Sequence, residues 1–207
     1  MIYAENILIC IGIPLLISLF FTKGGARGFI ASFVTGMGTC LAAAYISGFL
    51  SFALLMEEEE TSIFISPVVE ESMKLFPLLF VWLILEASDS GIMTAALGIG
   101  AGFATFENCC HLIGTGAESL MYVLVRGFAV GIMHVMSILA LALVIIMLKR
   151  YRAAYFPVVI GALSISVSFH ALYNLLVSVP GIPADIGYVL PVSAALMLGI
   201  ARKRIRS

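Results

Sequence analysis

The chain is poor in charge. Only 11% of its 207 residues are Asp, Glu, Lys or Arg, where a soluble domain carries about 25%. With 62% hydrophobic residues, that scarcity excludes a water-soluble globular enzyme and predicts a polytopic membrane protein. The net charge is −1, so no basic face for nucleic acid exists. The four cysteines, Cys10, Cys40, Cys109 and Cys110, lie in apolar runs and form no C-x-x-C pair. A disulfide framework and a zinc ribbon are therefore not indicated, and the thiols read as small apolar filler. The H-E-x-x-H motif is absent, so any metal site has to be assembled across helices. No Ser or Cys nucleophile has a convincing base beside it at helical spacing, which disfavours serine and cysteine chemistry. No basic stretch precedes the first apolar run. Glu5 precedes it, and Lys23 and Arg27 follow it, so a cleavable signal peptide is not expected.

Seven apolar runs are present, at about 6–21, 28–56, 63–85, 91–114, 120–148, 156–179 and 186–201. They predict an all-α membrane helix bundle of about seven spans, a single integral-membrane domain over 1–207. Break signals separate them: Lys23-Gly24-Gly25, Ser88-Asp89-Ser90-Gly91, Gly114-Thr115-Gly116 and Pro180-Gly181-Ile182-Pro183. Nine of the eleven Lys and Arg fall in the first loop, the fifth loop and the tail. With seven spans these share one side, so the N-terminus is expected outside and the C-terminus in the cytoplasm. The acidic run Glu57-Glu58-Glu59-Glu60 then falls outside, as a solvated loop or a rim over a site.

The remaining two cations, Lys74 and Arg126, lie inside apolar runs, with Glu70, Glu71, Glu107, His134, His170 and Asn174. Ionisable groups in hydrocarbon cost about 2.5–3.5 kcal/mol each on insertion scales and read as functional by default. At 1.5 Å per residue, Glu70, Glu107, Arg126 and His170 all fall roughly 9–14 Å below the outer end of their runs. This common depth, on helices of alternating direction, argues for one site.

Spacing adds detail. Glu70 and Lys74 are related i, i+4, while Glu71 lies about 100° further round. One carboxylate can therefore face the site while the other pairs with Lys74 or Arg126. Pro67 and Pro77 predict local kinks or widening. His170 and Asn174 share a face, as do Arg126 and His134, and Glu107 and His111. A carboxylate in such surroundings can act as general base toward water, and imidazole and carboxamide groups can stabilise an oxyanion. The same set, Glu70, Glu107, His134 and His170, could instead hold a divalent metal such as zinc. Structural readings stand beside these: Glu71 with Lys74 as a neutralising pair, Glu107 as partner of Arg126, His111 as an interhelical hydrogen-bonding residue. Gly98, Gly100 and Gly102 permit close helix approach, and with no lysine beside them they are not a phosphate loop.

Four stretches resemble, in order, the motifs of the PrsW family of intramembrane proteases. They are Val69-Glu70-Glu71-Ser72-Met73-Lys74, Gly102-Phe103-Ala104-Thr105-Phe106-Glu107-Asn108, the segment from Arg126 to His134, and Phe169-His170-Ala171-Leu172-Tyr173-Asn174. The resemblance, with distant kinship to the CAAX prenyl endopeptidase and bacteriocin-processing proteases, implies peptide-bond hydrolysis. Carried over, Glu70 activates water, and His170 with Asn174 stabilises the oxyanion. Phe103-x-x-x-Glu107 puts Glu107 where the distant relatives have histidine. Glu107 can then share the base role, bind a metal or anchor Arg126. Lys74, Arg126 and Phe103 read as substrate-binding or structural partners. The resemblance further implies a membrane-anchored protein substrate, for example an anti-sigma factor, cut near the outer side of a prokaryotic plasma membrane. Rival readings are a proton- or cation-coupled transporter using the same carboxylates, and a pseudoprotease that binds membrane proteins without cutting them.

Overall fold

The computed structural model describes residues 4–18, 22–115, 120–151 and 155–206, with side chains for all of these except 5–7, 9, 10, 14, 18, 115, 150, 151 and 198–206. The side chains of Glu5, Cys10 and Arg150, those of the basic tail, and the loop residues Gly116 and Arg152 thus lie outside what is described.

Each of the seven apolar runs forms one long helix: α1 (Ala4–Ser18), α2 (Gly24–Leu54), α3 (Ser66–Leu83), α4 (Asp89–Thr115), α5 (Leu120–Tyr151), α6 (Tyr155–Ser178) and α7 (Ile182–Arg206). No strand occurs among the described residues. Three helices are long and apolar enough to cross a membrane by length and composition alone, over Gly24–Leu54, Leu120–Lys149 and Tyr155–Ser178. In α3 and α4 the embedded carboxylates, and in α3 also Lys74, dilute the apolar content.

Polarity is distributed inside out. Phe49, Phe52, Phe76, Phe128 and Phe156 point outward and are more than half exposed, whereas Glu71, Lys74, His134, Ser137 and His170 are buried. A protein dissolved in water would leave an apolar surface of that extent exposed. In a bilayer the same arrangement is favourable, because lipid covers the aromatic side chains and the helices solvate the charges.

Close helix contact brings the polar residues together. A Cβ on Gly102 of α4 would lie 1.9 Å from the backbone oxygen of Phe33 on α2. One on Gly100 would lie 2.8 Å from the Cα of Val135 on α5. Only glycine lets the backbones approach this far, and membrane helices use small residues for that purpose. Gly100 thereby seats α5 against α4 beside His134.

The segment before α3 departs from a simple helix start. A single helical turn, Glu58–Glu60, is closed by reciprocal capping between Glu57 and Glu60 and runs into a π-helical stretch, Thr61–Ile65. The predicted widening at Pro67 is this stretch. In π register the N–H of Ser66 donates to the carbonyl of Thr61. The next donor in that register would be residue 67, toward Ser62, but proline has no N–H. Asn174 of α6 supplies the missing hydrogen: its Nδ2 donates to the Ser62 carbonyl at 2.8 Å.

Below the polar residues the bundle is apolar. Leu75, Leu78, Ile92, Ile99, Ile138, Leu141 and Ile145 form one buried cluster across α3, α4 and α5. Beyond it, Lys149 ties α5 to the start of α4, bonding Asp89 at 3.1 Å and the Ala87 carbonyl at 3.0 Å.

Candidate active site

Four helices contribute to one buried centre. α3 brings Glu70, Glu71 and Lys74, α4 brings Glu107, α5 brings Arg126, His134 and Ser137, and α6 brings His170. The helical offset between neighbouring residues separates the two carboxylates of α3. Glu71 is fully buried and its Oε1 accepts from Lys74 Nζ at 2.6 Å and from His170 Nδ1 at 2.8 Å. The lysine thus pairs at i, i+3 with Glu71, and the i, i+4 relation to Glu70 is not the one used. Glu70 faces elsewhere. It keeps 17% of its side chain exposed, and its Oε2 lies 3.7 Å from His170 Nε2. That oxygen is itself buried and has no hydrogen-bond partner among the described residues. A separation of 3.7 Å is too long for a direct hydrogen bond and is one that a single water spans.

The second carboxylate arm runs along α4 and α5. Glu107 Oε2 is hydrogen-bonded to His134 Nε2, and its Oε1 lies 3.5 Å from the Arg126 guanidinium. Arg126 also donates to the Asn108 side-chain oxygen. Of the alternatives open to Glu107, the fold therefore realises the Arg126 pairing together with a bond to His134. Phe103 is fully buried, with Lys74 Nζ 5.1 Å from its ring centre and the His134 ring at 4.8 Å. It is a packing surface under the lysine and the histidine, out of reach of a substrate. His111 lies outside the centre, beside the Tyr122 hydroxyl at 3.1 Å. Asn174 sits one turn from His170, and one N–H of its amide holds Ser62. An amide has two such donors, so one remains.

Ser137 belongs to the centre although no motif marks it. It accepts from Lys74 at 3.1 Å and donates to the His134 carbonyl at 3.0 Å. Its signal in the sequence is the i, i+3 relation to His134, which puts both on the face of α5 that carries Arg126.

Glu70, His134 and His170 each offer a ligand atom within 4.8 Å of the others, a grouping that could hold a metal ion by proximity. Two histidines and a carboxylate are also a donor set that catalytic zinc accepts. Lone pairs decide the fit. Glu70 Oε2 is free, and a neutral His170 that donates its Nδ1–H to Glu71 offers a bare Nε2. His134 has Lys74 at Nδ1 and Glu107 at Nε2, so both ring nitrogens are committed. Two free donors fall short of the three protein ligands of a catalytic zinc, and as arranged the set does not fit such a centre.

No curated protein and no solved structure matches the chain. A family model described as PrsW family intramembrane metalloprotease matches residues 25–200, which takes in every residue of the centre. The chain belongs to the PrsW family of intramembrane proteases.

Proposed function

We propose that this integral membrane peptidase hydrolyses a peptide bond of a membrane-anchored protein with a water activated by Glu70. The observation that carries the reading is the asymmetry of the two adjacent carboxylates. Glu71 is fully buried and its Oε1 is held by both Lys74 and His170, although its Oε2 has no partner among the described residues, while Glu70 is partly exposed and its unpartnered Oε2 lies 3.7 Å from His170 Nε2. A water held between these atoms points its hydrogens at both and its lone pair outward. Attack forms the C–O bond as the water proton passes to Glu70. The second N–H of Asn174 is available to the resulting oxyanion. Collapse breaks the C–N bond, and Glu70 returns the proton to the leaving amine. Glu107 is held beside this site by His134 and Arg126.

In this reading the chain has seven spans with the N-terminus outside, and the centre would lie toward the extracytoplasmic side of the membrane. The positive-inside distribution of Lys and Arg supports that orientation. A segment of the substrate at its membrane boundary, as in an anti-sigma factor, would then reach Glu70. The apolar cluster between the centre and the Asp89–Lys149 pair supports hydrolysis over ion transport, since it offers no polar path onward.

The test is cleavage of single-span reporter proteins by the purified chain and by Glu70→Gln, with and without chelator. Cleavage that survives chelation and is lost in the variant is the expected result. Loss on chelation with recovery on added metal would replace the glutamate-activated water with metal chemistry, and full cleavage by Glu70→Gln would remove Glu70 from the base role.

A further inference from the structure

A carboxylate centre works only if its histidines hold their protons at the right atoms, and one buried cation determines that here. The Lys74 ammonium has three N–H donors and no lone pair. Its neighbours are Glu71 Oε1 at 2.6 Å, His134 Nδ1 at 3.0 Å and Ser137 Oγ at 3.1 Å. Glu71 is an acceptor as a carboxylate. Ser137 spends its own hydrogen on the His134 carbonyl at 3.0 Å, so its oxygen accepts from the lysine. The third N–H meets His134 Nδ1, which is left to accept as well. The single hydrogen of a neutral ring then sits on Nε2, where it faces the Glu107 carboxylate.

We infer that Lys74, anchored by Ser137, is a positioning residue that holds His134 as its Nε2–H tautomer, a donor to Glu107 with no lone pair for a metal. Turning the ring over would set carbon atoms against the ammonium and the carboxylate, and the buried Phe103 ring packs beside the lysine and the histidine. His170 is held in the opposite form, with its hydrogen on Nδ1 toward Glu71 and Nε2 bare toward Glu70. Two histidines whose rings stand 5.1 Å apart thus carry opposite tautomers. One acts on the water side, and the other fixes Glu107 with its Arg126. This assignment rests on the hydrolytic reading only for its effect on rate, because the proton's place on the ring can be observed without turnover.

The chain has three histidines, so ¹⁵N-histidine labelling of the full protein in nanodiscs gives a spectrum that His111→Asn and His170→Asn assign. The expected His134 signature is a protonated Nε2 and a bare Nδ1, unchanged by equimolar zinc chloride. Lys74→Met should release the lock and mix the two tautomers. It should also lower kcat, with KM little changed. Lys74→Met combined with Glu71→Gln leaves no unpaired buried charge and should show the same mixing, which covers the case in which the single variant does not fold. A bare Nε2 in the wild type, a zinc-induced shift of that nitrogen, or an unchanged tautomer in the folded double variant would each overturn the assignment. Failure of the hydrolytic reading would appear separately, as no cleavage by a wild type that shows the expected spectrum.

Discussion

Asn174 donates to the backbone oxygen of Ser62 across more than a hundred residues of chain, at 2.8 Å. That oxygen is free because Pro67 cannot donate to it in π register. The bond ties α6, which carries His170, to the segment that leads into Glu70 and Glu71. Removing this exposed bond in Asn174→Ala should cost about 0.5–1.5 kcal/mol, the net contribution of a typical intramolecular hydrogen bond. Pro67→Ala returns an N–H to the same stretch. The Asn174→Ala penalty should therefore be smaller in that background, as read from thermal melts of the four proteins in a double-mutant cycle.

Glu70 and Glu71 are adjacent and should fail differently. Glu70→Gln should abolish cleavage and leave the melting temperature nearly unchanged, because Oε2 makes no hydrogen bond within the described structure. Glu71→Gln leaves the Lys74 ammonium fully buried without its counter-charge. Breaking a buried pair from one side costs about 3–5 kcal/mol, so this variant should lose stability first and activity with it. Equal stability loss in both variants would contradict the division of labour.

Lys149 and Asp89 form the contrasting ion pair. Both are partly exposed, at 33% and 57%. Exposed pairs contribute about 0–1 kcal/mol. Asp89→Asn should accordingly change neither the melting temperature by more than a degree or two nor the cleavage rate, provided the Ala87 carbonyl keeps its bond to the lysine.

Gly102→Val should disrupt packing. Its Cβ would meet the Phe33 backbone oxygen at 1.9 Å, and backbone cannot step aside as a side chain can. Overpacking costs about 1–3 kcal/mol where neighbours can adjust, and more is expected here. The melting temperature of the purified variant, against Gly114→Val with open space around it, isolates the effect.

The sequence by itself determined the helical, membrane-embedded character, the seven helices and the membership of Glu70, Glu71, Lys74, Glu107, Arg126, His134 and His170 in one centre. Hydrophobic run length and the cost of placing charge in hydrocarbon are local properties, so they can be read along the chain. Only the tertiary structure decided how those residues are paired. Lys74 turned to Glu71 and away from Glu70, His134 joined Glu107, Phe103 went beneath the lysine, and Asn174 went to a carbonyl that a proline had left open. Helical spacing gives the face a side chain occupies, whereas hydrogen-bond partners depend on which backbones meet and how closely. Gly100 and Gly102 set that approach through what they lack, and Ser137 entered the centre because α5 came close enough to α3 for its hydroxyl to reach the lysine.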